Sequence, residues 1–187
     1  MQDDRPPPDG PSGFFIAVTI VGIMAVSFAL LFRAAMAPVV SSQVGKQFPP
    51  IEAGGWINGP EPKELDFQGK ILVVDAWAYW CGPCRMVTPN LIQLHDNFKG
   101  QDVVFVGLTS EGLDSQSIQL SKDFVKSLKI PWLNGYAATK TLGALDVDAI
   151  PQLWVVDKNR RIVLHEIGFN ESSIWDIEQA VKKALKE

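Results

Sequence analysis

The chain has 187 residues, a formal net charge of −4 at pH 7 and a hydrophobic fraction of 47%, with only two cysteines and two histidines. This length fits one domain of ordinary size, which spans roughly 100–200 residues, together with an accessory segment. The mildly acidic balance and the lack of any basic run exclude nucleic acid as an expected partner, because phosphate binding needs clustered Lys and Arg.

The N-terminal segment changes character after residue 13. The stretch DDRPPPDGPSG cannot bury apolar surface, so residues 1–13 are predicted to be a disordered tail. The uncharged run FFIAVTIVGIMAVSFALLF follows and would span about 28 Å as a helix, close to the roughly 30 Å hydrocarbon core of a bilayer. Residues 14–36 are therefore predicted to be a single transmembrane anchor, with the lipid bilayer as a partner.

Two other interpretations of this apolar run stay open. A cleaved signal peptide is suggested by the small residues at positions 35 and 37, but the run exceeds the roughly 7–15 residues of a signal peptide's apolar region. A buried core helix is disfavoured because no charged residue marks an exposed face. Cationic residues near the two ends, Arg5 before the run and Arg33 and Lys46 after it, slightly favour a cytoplasmic C-terminal domain.

The rest of the chain alternates strand-like and helix-like segments. Residues 37–44 are predicted to be a linker, and residues 45–187 a folded domain that opens with a turn-rich segment holding one short hairpin. The β-branched runs ILVVDAW and VVFVGLT predict strands buried on both faces. Apolar residues at helical spacing predict a helix over residues 81–98 and another over 120–128.

The C-terminal third predicts how the sheet closes. A weak strand is predicted around PWLNGY and a short helix at TKTLGALDV. The segments PQLWVV and RIVLHEI predict an antiparallel hairpin, and apolar residues at helical spacing predict an amphipathic helix at the end of the chain. The order β-α-β-α-(β)-α-β-β-α predicts an α/β fold, with a mixed central sheet and helices on both faces.

Both cysteines stand in the stretch WCGPC, directly after a buried strand and at the start of a helix. Unpaired N–H groups and the positive end of the helix dipole stabilise a thiolate there, so Cys81 is predicted to be a nucleophile. Cys84 lies one turn later and can reach Cys81 to form and resolve a mixed disulfide. Pro83 falls in the first turn, where its missing N–H costs least. This context favours a redox dithiol.

Other uses of the two cysteines are weaker alternatives. A structural disulfide normally closes a long loop, whereas this bridge would enclose two residues. A structural zinc site would need two more ligands, and only His95 and His165 remain as histidines. A copper site made of the two thiolates and His165 stays open. The preferred prediction assigns no metal ligand.

The stretch ILVVDAWAYWCGPCRMVTP and the pair Ile150 and Pro151 resemble thioredoxin. With the anchor and the helix over residues 120–128, the chain is similar to the TlpA/ResA-like family of membrane-anchored thiol-disulfide oxidoreductases. The resemblance implies a thioredoxin-like fold and reduction of protein disulfides through a redox-active Cys81–Cys84 disulfide, with no further cofactor. It also implies two protein partners, a disulfide-containing substrate and an upstream dithiol electron donor.

The resemblance also implies roles for individual residues. Asp75 matches a buried acid that exchanges a proton with the second cysteine, and burial is expected to raise its pKa. Thioredoxin pairs this acid with a Lys on the next strand, which VVFVGLT lacks, and ResA-like members carry a Glu where this chain has Val87. The Ile150–Pro151 bond is expected to be cis. Substrate contacts are implied for Trp80, Gly82, Pro83, Ile150 and Pro151.

Location and function class each keep an alternative. The resemblance implies a single-pass protein of a bacterial-type cytoplasmic membrane with its C-terminal domain outside the cytoplasm, against the small charge bias. A second hypothesis is a thioredoxin-like binding module or copper chaperone whose cysteines hold metal. Peroxidase chemistry is a weaker enzyme alternative, because no third cysteine is present.

Overall fold

The computed structural model describes residues 43–63, 66–170 and 172–187, which belong to one compact unit, Ser41–Glu187. The predicted tail, the predicted anchor and most of the predicted linker lie outside these residues. Within the described ranges, no helix combines the length and the apolar character needed to cross a bilayer.

The described residues form strands and helices in the predicted alternation. The strands are β1 (Gly55–Ile57), β2 (Ile71–Ala76), β3 (Val103–Leu108), β4 (Leu133–Tyr136), β5 (Gln152–Val156) and β6 (Ile162–Ile167). The helices are α1 (Gly82–Asn97), α2 (Ser115–Leu128), α3 (Thr139–Ala144) and α4 (Ser173–Lys186).

The strands form one mixed sheet in the order β1-β4-β3-β2-β5-β6. Strands β2, β3 and β4 run parallel, and β5 and β6 add antiparallel partners on the other side of β2. This arrangement confirms the predicted mixed sheet and its closing hairpin. Strand β2 is flanked on both sides, so its residues, including Asp75, are buried.

The hairpin predicted in the turn-rich segment is wrong. The strand of that segment, β1, pairs antiparallel with β4, far along the chain, and Gly55 lies opposite Tyr136. A side chain at Gly55 would collide with the Tyr136 ring, so the missing Cβ lets this ring pack against the β1 backbone. Gln43, in the segment predicted as a linker, is already buried in the domain and accepts a 2.7 Å hydrogen bond from the Trp154 indole.

Helices cover both faces of the sheet, as predicted. Helices α1, α2 and α4 pack on one face with Ile71, Val73, Leu153 and both cysteines. Helix α3 packs on the other face, where Leu142 joins Val74 and Trp154. Because side chains alternate along a strand, Asp75 shares the face of Val73, which is the face that holds the cysteines.

Candidate active site

The two cysteines lie where strand β2 gives way to helix α1. Cys81 is the N-cap of α1, and its sulfur accepts a 3.1 Å hydrogen bond from the Cys84 backbone N–H. Pro83 lies in the first turn, as predicted. A disulfide joins Cys81 to Cys84, and both residues are buried. The helix start therefore offers a backbone donor and a positive dipole end to a thiolate at Cys81.

Within the described part of the chain, two grooves are lined by residues next to the dithiol. The first has a volume of about 520 Å³ and the second about 590 Å³. Trp80 lines the first groove, Pro83 and Pro151 line the second, and Ile150 borders both. The Ile150–Pro151 peptide bond is cis. The structure thus brings together these residues, which the sequence analysis named from distant parts of the chain.

Trp80 is held at the surface by a contact that the sequence analysis missed. Its side chain is 63% exposed, and its indole Nε1 donates a 2.9 Å hydrogen bond to the Glu111 carboxylate. Glu111 belongs to the turn-rich stretch after β3, and the sequence carries no signal that relates it to Trp80. Met86, which lines the second groove, is also exposed. An apolar surface therefore lies on either side of the buried sulfur atoms.

Asp75 lies inside the sheet beneath this surface. Burial is the largest influence and raises the pKa of its carboxyl to about 7. Hydrogen bonding by its own backbone N–H and by the Trp132 indole lowers the pKa by smaller amounts. The Trp132 contact falls short of full hydrogen-bond geometry, because its Nε1 has no partner that meets standard criteria. At neutral pH both protonation states of Asp75 are accessible.

The expected lysine partner is replaced by a glycine. Gly107 of β3 lies directly opposite Asp75 in the parallel ladder. Val87, at the position where ResA-like members carry Glu, is buried and lines the second groove without a titratable group. No charged neighbour is among the causes of the Asp75 pKa shift. Its proton affinity is therefore set by burial and hydrogen bonding.

The histidines lie away from the sulfur atoms. His165 stacks on Trp154, on the opposite face of the sheet from the cysteines, and its Nε2 is 2.8 Å from the Gln152 side-chain oxygen. His95 contacts the rings of Phe105 and Trp132. Across the described ranges, no group of three or more His, Cys, Asp or Glu residues is placed to hold a metal ion. The structure does not bring His165 to the two thiols.

Comparisons with known proteins agree with this architecture. A family model described as thioredoxin-like matches residues 69–162. The thiol-disulfide oxidoreductase ResA of Bacillus cereus is 27% identical over 157 residues, covering 83% of this chain and 87% of the relative. The thiol:disulfide interchange protein DsbE of Pseudomonas aeruginosa is 28% identical over 163 residues, covering 83% and 85%.

Solved structures share the fold. A thiol:disulfide interchange protein of the thioredoxin family from Chlorobium tepidum superposes with a TM-score of 0.62 at 23% identity, covering 75% of this chain and 97% of that chain. StoA from Bacillus subtilis superposes with a TM-score of 0.59 at 18% identity, covering 71% and 96%. The family match shows that the chain belongs to the thioredoxin-like family, and the ResA and DsbE relatives support a TlpA/ResA-like member.

Proposed function

We propose that this protein is a thiol-disulfide oxidoreductase of the ResA/DsbE type that reduces disulfides in protein substrates through Cys81 and Cys84. The observation that carries the proposal is the Cys81–Cys84 disulfide at the start of helix α1, with a backbone donor on the Cys81 sulfur. The relatives named as thiol-disulfide oxidoreductases, which align over most of the chain, support the same reaction class.

In the proposed reaction, the reduced protein starts with a thiolate at Cys81. This thiolate attacks one sulfur of a substrate disulfide, forms a mixed disulfide and releases the other substrate sulfur as a thiolate. Cys84 then gives its proton to the Asp75 carboxylate and attacks the Cys81 sulfur. The Cys81–Cys84 bond forms, the second substrate thiolate leaves, and two electrons have passed to the substrate. An upstream dithiol donor restores the reduced pair.

The assignment of Asp75 as the proton acceptor rests on its environment. A general base works best when its pKa lies near the working pH, and burial brings the pKa of Asp75 to about 7. Cys84 is almost fully buried in the core on the same face of the sheet, away from bulk water. A buried thiol needs an internal proton acceptor, which Asp75 supplies in this proposal.

Substrate binding is proposed at the two grooves. Ile150 precedes the cis proline and borders both grooves, so its backbone is available to an extended substrate segment. Trp80, Gly82 and Pro83 flank Cys81 in the chain and are proposed to contact the substrate on either side of the dithiol. The proposed direction of electron transfer, toward the substrate, is supported by the Gly-Pro pair between the cysteines. This pair resembles that of reducing family members, whose potentials are about −270 mV.

The N-terminal segment is proposed to anchor the domain in a bacterial-type cytoplasmic membrane. Support comes from the uncharged run at residues 14–32, whose helical length matches a bilayer core. The domain is proposed to face outward, because the resemblance to membrane-anchored TlpA/ResA-like proteins outweighs a difference of one cationic residue between the two ends. The bilayer, a disulfide-containing protein and a dithiol donor are then its partners.

The test is reduction of insulin disulfides by the purified protein with dithiothreitol as the reductant. Turnover above the dithiothreitol background is expected for the wild type, and its loss is expected in Cys81→Ser. Lys122→Ala replaces an exposed residue of helix α2 that lines neither groove, keeps the dithiol and serves as a folding and handling control. A binding module or copper chaperone would instead bind Cu(I) tightly through Cys81 and Cys84 without turnover. A reduction potential as high as that of a strong oxidant, about −120 mV, would contradict the reductant assignment.

A further inference from the structure

Three parallel strands align a carboxyl, a glycine and a carboxamide in one row. Asp75 of β2 lies opposite Gly107 of β3, and Gly107 lies opposite Asn134 of β4. Paired residues on neighbouring strands point to the same face of the sheet. Because Gly107 has no side chain, Asp75 and Asn134 face each other across the space above a single glycine.

The Asn134 carboxamide fills that space. A Cβ at Gly107 would collide with Asn134 Oδ1 and would lie 2.7 Å from the indole Nε1 of Trp77. The Asn134 oxygen therefore lies beside the position of the missing Cβ. Neighbouring strands are about 4.8 Å apart, so that position lies about one strand spacing from the Cβ of Asp75, a separation that a carboxyl group can bridge.

The orientation of the amide is set by its nitrogen. Asn134 Nδ2 donates a 2.8 Å hydrogen bond to the Trp132 carbonyl oxygen, which turns Oδ1 toward β3. Asn134 is fully buried, and Oδ1 has no hydrogen-bond partner among the described residues. Buried acceptors are normally satisfied, because an unmet one loses its hydration without replacement. The Trp77 indole Nε1 borders the same position and also lacks a hydrogen-bond partner among the described residues. A carboxamide oxygen has two lone pairs, so Oδ1 can face this indole and still accept from a proton-bearing neighbour on β2.

We propose that Asn134 is a positioning residue whose side-chain oxygen accepts a hydrogen bond from Asp75 when Asp75 carries a proton, and so favours the protonated carboxyl. A carboxylic acid is a donor only in its neutral form, whereas the carboxylate is an acceptor and would face the Asn134 oxygen unfavourably. The inference rests on the proposed function, in which Asp75 takes the Cys84 proton. Asn134 then stabilises the state that this transfer creates.

The proton step remains balanced with Asn134 included. The Cys84 thiol loses its proton to the Asp75 carboxylate, and the new Asp75 hydroxyl donates to Asn134 Oδ1. The Cys84 thiolate attacks the Cys81 sulfur of the mixed disulfide, the Cys81–Cys84 bond forms, and the substrate sulfur leaves with the electron pair of the broken bond. No proton moves to Asn134, which acts only through Asp75.

Besides Asn134, the Trp132 indole faces Asp75 and lowers the pKa of its carboxyl. The two cysteines are the titratable groups of the dithiol, and β3 and β5 place Gly107 and Leu153 opposite Asp75. On helix α1, the Arg85 guanidinium lies over the Phe124 ring and the His95 imidazole contacts the Trp132 ring. Gly107 of β3 replaces the expected lysine, and the Asn134 carboxamide of β4 lies over this glycine.

The test measures the pKa of Asp75 in the full chain, from the pH dependence of its side-chain carboxyl ¹³C shift. The disulfide form is used because neither cysteine titrates in it, and Asp75→Asn identifies the resonance. Asn134→Leu removes the acceptor while keeping the site filled, and Asn134→Val is a second variant suited to a strand. Losing one hydrogen bond to the neutral form is expected to lower this pKa by about 0.5–1.

The control variant is Asn58→Gly. Asn58 also donates from its side chain to the Trp132 carbonyl oxygen, at 3.1 Å, and its positive φ of 70° suits glycine. Asn58→Gly removes a second carboxamide from the Trp132 carbonyl oxygen. Asn58 does not belong to the row of Asp75, Gly107 and Asn134, so the pKa of Asp75 is expected to stay unchanged. The ¹H–¹⁵N spectrum of each variant confirms that it is folded.

The outcomes separate this inference from the proposed function. An unchanged or raised Asp75 pKa in folded Asn134→Leu or Asn134→Val would overturn the role of Asn134, whatever the activity. A lowered pKa accompanied by an equal shift in the acid limb of the insulin-reduction pH profile supports both proposals. A lowered pKa with an unmoved pH profile supports the role of Asn134 and contradicts the role of Asp75 as the proton acceptor.

Discussion

The indole Nε1 of Trp80, a residue that lines the first groove, donates a 2.9 Å hydrogen bond to the carboxylate of Glu111. The bond joins the residue before Cys81 to the loop after strand β3. It holds an exposed aromatic ring in one orientation, at the place where a substrate would meet the dithiol.

Removing this hydrogen bond is expected to weaken substrate binding more than it slows the chemical step. Glu111→Ala should lower kcat/KM for insulin reduction by about two- to tenfold, mainly through a higher KM, because a free indole must be ordered on each binding event. Glu111→Gln keeps an acceptor and should lie between the alanine variant and the wild type. Exposed Glu61→Ala is the matched control. Equal kcat/KM in Glu111→Ala and wild type would rule out an ordering role.

Burial of Asp75 is expected to make the protein less stable as the pH rises. Its pKa is about 7 in the folded chain against an ordinary value of 3.8, so between these pH values the native state holds a proton that the unfolded state has lost. The free energy of unfolding therefore falls as pH rises through this window, by about 4 kcal/mol at most from this group. Asp75→Asn, which stays neutral, should flatten the decline.

Urea denaturation at pH 5, 6, 7 and 8 measures this effect. Comparing wild type with Asp75→Asn at each pH cancels the contributions of His165 and Glu166, whose pKa values burial also shifts. Asp102→Asn is the control, because Lys70 lowers the pKa of that exposed carboxyl and keeps it ionised throughout the window. Parallel curves for wild type and Asp75→Asn would show that Asp75 is already ionised at pH 5.

Alanine substitution is expected to have opposite effects on stability at Gly107 and at Gly143. Gly107→Ala places a methyl group against Asn134 Oδ1 and Trp77 Nε1, so it should destabilise the domain by about 1–3 kcal/mol. Gly143→Ala places a methyl group in open space on helix α3 and should stabilise it by about 0.5–1 kcal/mol. Urea midpoints of the two variants test the pair, and a stabilised Gly107→Ala would refute the close packing of Asn134 over β3.

Replacing Cys84 is expected to trap the reaction at the mixed disulfide. In Cys84→Ser the Cys81 thiolate can still attack a substrate, but no second thiol resolves the intermediate. Complexes sensitive to dithiothreitol should accumulate with substrate and donor proteins, and their identification by mass spectrometry names both partners. Cys81→Ser is the control that should form few complexes. Equal trapping by both variants would contradict the assignment of Cys81 as the nucleophile.

Labelling of Cys81 in cells tests the proposed sidedness. In Cys84→Ser the Cys81 thiol is free of its intramolecular partner, so a membrane-impermeant maleimide can report its location after brief reduction. An outward-facing domain should be labelled without breaching the inner membrane. Labelling that appears only after the inner membrane is permeabilised would place the domain in the cytoplasm, as the small charge bias around the apolar run favours.

Much of the fold and the dithiol could be read from local patterns. The buried run at β2, the cysteines at the following helix start and the hairpin of β5 and β6 depend on periodicity, N–H groups at a helix terminus and short connections, which neighbouring residues set. The run places Asp75 in a buried strand. The resemblance carried by WCGPC and the Ile150–Pro151 pair implied the family, and with it the role of Asp75 as a buried acid with a raised pKa.

Other features depended on strand pairing over long distances. Strand β1 was predicted as part of a local hairpin, but it pairs with β4, whose residues lie about 80 positions later. Asn134 and Gly107 are separate polar and small residues in the sequence, and only the register of β2, β3 and β4 places them beside Asp75. Glu111 meets Trp80 because a loop folds back toward helix α1.

The sequence by itself determined the chemistry available to this protein, because two thiols at a helix start after a buried strand acquire their reactivity from neighbours within a few residues. The tertiary structure decided what surrounds that chemistry. The neighbours of Asp75 and Trp80 come from strands and loops that are distant along the chain, and their contacts exist only after the sheet has set its order and register.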